Sequence, residues 1–223
     1  ATSVSDNRFV RGNAWLVTVS QMAALKAALI TLAPADEVPV FYVEDFDSGR
    51  GVLLEWDNPN QGFRAPGSAA WLFKRIPGSV FALYTAGTGA VSGVESSALY
   101  TLSIPAWVNH LNSQITVLSG INAVGTVSTK SLKIKYAGTS IASNALSAGN
   151  LSGSVSGKMQ NVASLSVNSF AEGRGGFDGN GSSAAYTDGT LNTGIDQNLT
   201  ITATLGNAAD SVRARDLEVW ILA

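Results

Sequence analysis

No cysteine occurs in this chain, which removes disulfides, thiol nucleophiles and thiolate-bound metals together. Cohesion has to come from packing or from the association of copies. Charge is scarce as well: Asp, Glu, Lys and Arg make up 13% of the residues, about half the usual share, and the formal net charge is −2 with a pI near 5.3. That balance excludes nucleic acid as a partner, because its binders cluster Lys and Arg to displace counterions. Long apolar runs are missing too. The longest, residues 22–33, is interrupted by Lys26 and Thr31 and is well short of the roughly 20 residues of a membrane helix, so no membrane insertion is expected. Residues 1–11 are polar and mixed in charge, and no secretion signal is expected there. The single histidine, His110, has no second His or Cys with which to hold a metal or build a triad. It is expected to be structural or simply exposed, and no metal or cofactor is implied.

What is present is 45% hydrophobic residues, enough to fill the core of one large β domain or two modest ones. They are set among Ser, Thr, Asn and Gly. A surface of that kind is uncharged and hydrogen-bonding, suited to subunit contacts, ordered water and sugar hydroxyls. Strand periodicity is plain where Leu199, Ile201, Ala203 and Leu205 alternate with Thr200, Thr202 and Thr204. It is equally plain where Leu132, Ile134 and Tyr136 alternate with Lys133 and Lys135. Helical periodicity occurs once: Ser20 is a fitting N-cap, and good helix formers follow with Met22, Leu25, Leu29 and Ile30 on one stripe. A helix is therefore predicted over 20–32, ended by Pro34 and Pro39.

From residue 40 short strands follow near 40–43, 51–56 and 71–76, separated by turns. The aromatic residues Trp15, Phe41, Trp56, Phe63, Trp71, Phe73, Phe81 and Tyr84 predict a compact aromatic core for this first module. The small, Gly-rich stretch 85–94 predicts a linker, dividing the chain into an N-terminal module, 1–88, and a C-terminal domain, 89–223. Strands near 99–104, 115–118, 131–136, 162–170, 199–205 and 212–222 make the second part an antiparallel β-sandwich or jelly roll. The expected fold is thus mainly β, with a small N-terminal β module preceded by one short helix. The small-residue segments 140–157 and 171–189 are expected to be exposed loops.

Several residue patterns invite chemistry. Glu44, Asp45 and Asp47 cluster at a strand end, and Glu55 and Asp57 flank Trp56; paired carboxylates around an aromatic suit a glycosidase with Trp56 as the sugar platform. The same carboxylates suit turns and ion pairs with Arg50, Arg64 and Arg75. The stretch 179–184 fits G-x-G-x-x-A, but it lacks the strand before and helix after that a dinucleotide site needs. The loop around it carries Arg174, Phe177, Asp178, Tyr186 and Asp188 among glycines. An aromatic beside carboxylates and an Arg is how many surfaces hold sugars, so these five are the candidate receptor-binding residues, with a solvent loop or a subunit contact as the alternative.

Residues 128–222 resemble the C-terminal jelly-roll domains of bacteriophage tail spikes and short tail fibres. The resemblance rests on Lys130-Ser131-Leu132-Lys133-Ile134-Lys135-Tyr136-Ala137-Gly138-Thr139, then Asn192-Thr193 with Asp196-Gln197-Asn198-Leu199-Thr200-Ile201-Thr202-Ala203, and the closing Leu217-Glu218-Val219. Residues 41–85 look like a small β module near the N-termini of tail spikes, through Asp47-Ser48-Gly49-Arg50-Gly51, Leu54-Glu55-Trp56-Asp57, the stretch 67–71 and Lys74-Arg75. The resemblance implies a homotrimer assembled in the host cytoplasm, joined to other virion proteins and acting at the host surface, commonly on its polysaccharide. Spikes that cleave polysaccharide carry a long parallel β-helix, for which this chain has neither the repeats nor the length, so binding without catalysis is expected. Two alternatives stay open: a head fibre or decoration protein clamped to the capsid by the N-terminal module, and a polysaccharide-degrading spike using the carboxylates above.

Overall fold

The computed structural model describes residues 9–10, 14–32, 38–47, 50–68, 70–146, 151–162, 164–166, 168–175 and 186–222. Strands β1 (Phe9–Val10) and β2 (Ala14–Thr18) lead through a 3-10 turn, Val19–Gln21, into helix α1 (Met22–Leu32). The helix entry is set two residues before the expected cap: the Gln21 side-chain oxygen reaches back to accept from the Thr18 backbone N–H at 2.9 Å. Its buried residues are Met22, Lys26 and Leu29, while Ile30, expected on the apolar stripe, is exposed. Lys26 takes the inner position because its ammonium donates to the backbone carbonyls of Ala106 and Asn109. Burial pushes its pKa down to about 8.

The strands that follow are β3 (Val40–Asp47), β4 (Arg50–Asp57), β5 (Gly62–Arg64), β6 (Trp71–Ser79), β7 (Tyr84–Thr85), β8 (Tyr100–Ile104), β9 (Gln114–Val124) and β10 (Lys130–Tyr136). After them come β11 (Thr139–Leu146), β12 (Leu151–Asn161), β13 (Asn168–Gly175), β14 (Tyr186–Gly189), β15 (Gln197–Leu205) and β16 (Ser211–Leu222). One sheet has the order β1-β2-β3-β4-β5, a second β11-β10-β15-β8, and the third β14-β13-β12-β9-β16-β6, with β7 also paired to β16. Neighbours are antiparallel except β2 and β3, which run parallel because α1 carries the chain back between them.

The second and third sheets form a two-layer antiparallel β-sandwich, so the chain is mainly β with a small N-terminal β module and one short helix. Ile115, Val117, Ile121, Val212, Ala214, Leu217, Val219 and Ile221 point inward from one layer. Leu132, Ile134, Tyr136, Leu199, Ile201, Ala203 and Leu205 meet them from the other, and all are buried in one continuous core. Both expected loops contain strand: of 171–189, residues 171–175 belong to β13 and 186–189 to β14, with 176–185 outside the described residues. The stretch 140–157 is mostly strand, in β11 and β12, because its small residues let the layers touch: a Cβ on Gly157 would collide with the Ile141 carbonyl, and Asn144 Nδ2 donates to Ser154 O at 2.8 Å. Conversely, β13 begins at Asn168 rather than near 162.

Phe41, Trp56, Phe63, Trp71 and Phe73 are buried as the aromatic core predicts, but Trp15 is 39% exposed. Trp107, from beyond residue 88, completes the cluster, stacking on Trp71 at 6.4 Å between centroids and meeting Phe63 edge-on at 6.2 Å. The boundary expected at 88 falls between β7 and β8. On its near side β6 and β7 pair with β16, and on its far side Ser92 and Glu95 bridge to β15.

A buried strut ties the layers at one end. Lys130, in β10, lies 3.6 Å from Asp210 Oδ1, and both side chains are fully enclosed. The Lys130 ammonium also donates to the Thr126 and Ser128 carbonyls, and Asp210 Oδ1 accepts from Thr126 N at 2.6 Å and Thr126 Oγ1 at 2.8 Å. Burial alone would raise the Asp210 pKa, but the Thr126 and Lys130 donors outweigh it and hold the carboxyl below its ordinary value.

Candidate functional site

Strand β9 alternates without a break over its whole length. Ile115, Val117, Ser119, Ile121 and Ala123 face the core, and Gln114, Thr116, Leu118, Gly120, Asn122 and Val124 face out. β16 and β12 flank it in register, so outward residues form rows: Leu222–Gln114–Gln160, Trp220–Thr116–Lys158, Glu218–Leu118–Ser156, Arg215–Gly120–Ser154 and Arg213–Asn122–Ser152. Strand β16 stays in step with β9 apart from a bulge at Asp216, whose φ is 52° and whose Oδ1 accepts from Gly78 N at 2.6 Å.

The distinctive member of these rows is Trp220, which is only partly buried. Its indole N–H donates to Glu218 Oε2 at 3.1 Å, and Glu218 Oε1 lies 3.2 Å from Arg75 Nε. The ring's polar atom is thus satisfied within the protein and its orientation is held, while part of its apolar surface stays open. Across the sheet it is flanked by Thr116 on one side and Leu72 on the other, with Gln114 Nε2 donating to Thr116 Oγ1 at 3.0 Å, and Leu118 is 42% exposed. Lys158 and Arg215 are exposed on the same face and Arg213 partly so; no carboxylate among the described residues forms an ion pair with any of the three.

The outer face of the four-stranded sheet is arranged differently. β15 and β10 set Thr200, Thr202 and Thr204 in register with Lys135, Lys133 and Ser131. Glu95 lies across them, pairing with Lys135, meeting Lys133 Nζ at 3.1 Å and accepting from Thr202 Oγ1 at 2.7 Å. The hydrogen bond from Lys135, then that from Thr202, holds its pKa down to about 2.

The candidate receptor-binding residues are distributed as follows. Phe177 and Asp178 lie outside the described residues, as does 179–184. Backbone pairing sets Tyr186 opposite Ala171 and Asp188 opposite Ser169, and these pair on to Lys158 and Gln160, so both positions continue rows of the Trp220 face. Arg174 pairs with Val155, a core residue, and so belongs to the alternate register. Trp220 was missed as a site residue; its signal was an indole at a wet position between Val219 and Ile221.

Of the carboxylates near Trp56, Glu55 Oε1 lies 2.7 Å and Asp57 Oδ2 3.4 Å from Arg64, and Asp57 Oδ2 also accepts from Asn60 Nδ2 at 2.8 Å. Trp56 itself is 2% exposed. It has no face to offer a sugar, and Glu55 and Asp57 are ion-pair and turn residues. Glu44 sits partly buried in β3, and the side chains of Asp45 and Asp47 lie outside the described residues. His110 is fully buried and structural: its Nδ1 is 2.7 Å from the Leu111 carbonyl, which can only accept, so Nδ1 carries a proton. Burial lowers its pKa, and Gly62 packs against it where a Cβ would collide with its ring. No cluster of metal-ligating side chains is found among the described residues.

No family model matches the chain, and no curated protein matches it. Among solved structures, lectin I-B4 from Griffonia simplicifolia is 10% identical, over 70% of this chain and 100% of that chain, with a TM-score of 0.35. The CBM2 module of the evolved Dit of Lactobacillus casei BL23 phage J-1 is 11% identical, over 71% of this chain and 91% of that chain, at 0.28. Latent PorU from Porphyromonas gingivalis is 12% identical over 68% of this chain, at 0.34, and the match takes in 12% of PorU. All three are β-rich, as this chain is.

Proposed function

We propose that this chain is a structural protein of a bacteriophage virion, a trimeric short tail fibre or tail spike that holds host-surface polysaccharide without cleaving it. The resemblance over 128–222 supports the virion assignment. The observation that carries the binding role is Trp220, fixed through Glu218 and Arg75 on a flat, open, hydrogen-bonding sheet face. The apolar side of a pyranose ring stacks on the indole, while Thr116, Gln114 and Gln160 exchange hydrogen bonds with its hydroxyls. A face of this kind encloses little of its ligand, so each site is weak. Three copies on one rigid head raise avidity by about 10² to 10⁴ over a single site.

Sedimentation equilibrium and calorimetric titration with host polysaccharide test this reading. The expected results are a mass three times 23.0 kDa, binding, and no shortened oligosaccharides on prolonged incubation. A stable monomer that ignores the polysaccharide overturns it. Antibody labelling of the capsid rather than the tail on intact particles would move the protein to the head-fibre class.

A further inference from the structure

Resting on the Trp220 face as a glycan site, we propose that its ligand is an acidic polysaccharide, a chain bearing carboxylates at intervals that lies along β9. The chain as a whole carries a net charge of −2, yet this face is cationic. Lys158 stands in the row of Trp220, Arg215 and Arg213 stand two and three rows further along, and the one carboxylate in those rows, Glu218, is already taken by Arg75 and the indole N–H. Asp216, at the bulge, is engaged by the Gly78 N–H. Asp188 lies three strands beyond β9 in the Gln160 row, at the opposite end from the arginines.

The spacing suits an extended polyanion. From Thr116 to Gly120 is four strand residues, about 14 Å, and Asn122 adds about 7 Å more. Between the indole and the guanidinium groups lies the row Glu218–Leu118–Ser156, and beside Arg215 the row continues with the small residues Gly120 and Ser154. A sugar stacked on Trp220 therefore has Lys158 beside it and Arg215 and Arg213 ahead of it. Arg is the side chain whose planar fork matches a carboxylate with two parallel hydrogen bonds. The four-stranded face shows the contrast, since Glu95 already neutralises Lys133 and Lys135 there. Such a site draws in an acidic chain and holds it loosely, with a dependence on ionic strength that a neutral glycan lacks.

The experiment titrates the full-length protein against a panel of uronate-containing capsular polysaccharides, each paired with its carboxyl-reduced form. We expect at least tenfold weaker binding after carboxyl reduction, and a similar loss on raising salt from about 50 to 500 mM. The double variant Lys158→Gln/Arg215→Gln should lose tenfold for the acidic form and nothing for the reduced one, with unchanged mass and melting temperature. Lys133→Gln should bind as the parent does. Equal binding of acidic and reduced forms overturns the acidic assignment and leaves the glycan reading standing; binding of neither overturns both. Acidic binding that survives the double variant, or a variant that loses its assembly, removes this face as the site.

Discussion

On the four-stranded sheet Glu95 reaches in from the segment before β8 and gathers Lys133, Lys135 and Thr202, so the charges of that face are satisfied before anything binds. On the seven-stranded sheet the one carboxylate that β16, β9 and β12 place in the aligned rows, Glu218, is spent on orienting an indole, and Lys158 and Arg215 are left facing water. Both faces rest on the same alternation of apolar and polar residues. What separates scaffold from site is the placement of one Glu on each, together with a tryptophan at a wet position.

The largest test of that contrast removes what the two faces share. Asp210→Ala strands Lys130 as a buried, uncompensated cation between the layers, and urea unfolding should show a loss of about 3–5 kcal/mol. A loss under about 1 kcal/mol would mean that the layers do not depend on the strut. Next is Trp220→Ala, which should weaken polysaccharide binding by about 2 kcal/mol, roughly thirtyfold, with little change in melting temperature. Thr200→Val, on the opposite face, should leave affinity alone; an equal loss there would erase the distinction between the faces.

Acid titration sharpens the contrast further. Glu95 keeps its charge down to about pH 2 when folded, against 4.5 for its ordinary value. The unfolded chain therefore takes up the proton first, and the stabilisation from Glu95 is fully present above pH 4.5 and lost as the pH falls towards 2. Because the group is partly exposed, the effect is about 1 kcal/mol. In Glu95→Gln that part of the acid sensitivity should vanish from a stability profile between pH 2 and 6. The smallest effect is Arg75→Ala: its ion pair is exposed, stability should change by less than about 0.5 kcal/mol, and binding should fall two- to threefold as the indole loosens.

How much of this was legible in the sequence depended on range. The strands β10 and β15 and the helix stand out because their periodicity is local, carried by Leu132, Ile134, Leu199, Ile201 and Met22. β11 and β12 were hidden because their Ser, Ala, Asn and Gly residues serve a contact with each other, and that contact requires knowing that Gly157 meets Ile141. Trp56 fits two readings, the aromatic core and a sugar platform between Glu55 and Asp57; it shares its phase with Leu54, and it is core. Locally Trp220 reads only as part of a strand; that Thr116 and Lys158 lie in its row is a matter of which strands pair, and no local pattern carries that.

The extra residue at Asp216 has a wider reach than its own hydrogen bond. Before it, the odd-numbered Arg213 and Arg215 look out of β16; after it, the even-numbered Glu218, Trp220 and Leu222 do. The bulge works as a gear change: were Asp216 paired like its neighbours, the guanidinium groups and the indole would emerge on opposite sides of one ribbon. Deleting this single position would leave β16 one unbroken alternation, with Arg215, Glu218 and Trp220 still looking out; it is forcing Asp216 into the ladder that would turn half of the strand inside out, driving either two arginines or a tryptophan and a glutamate into the oil of the core.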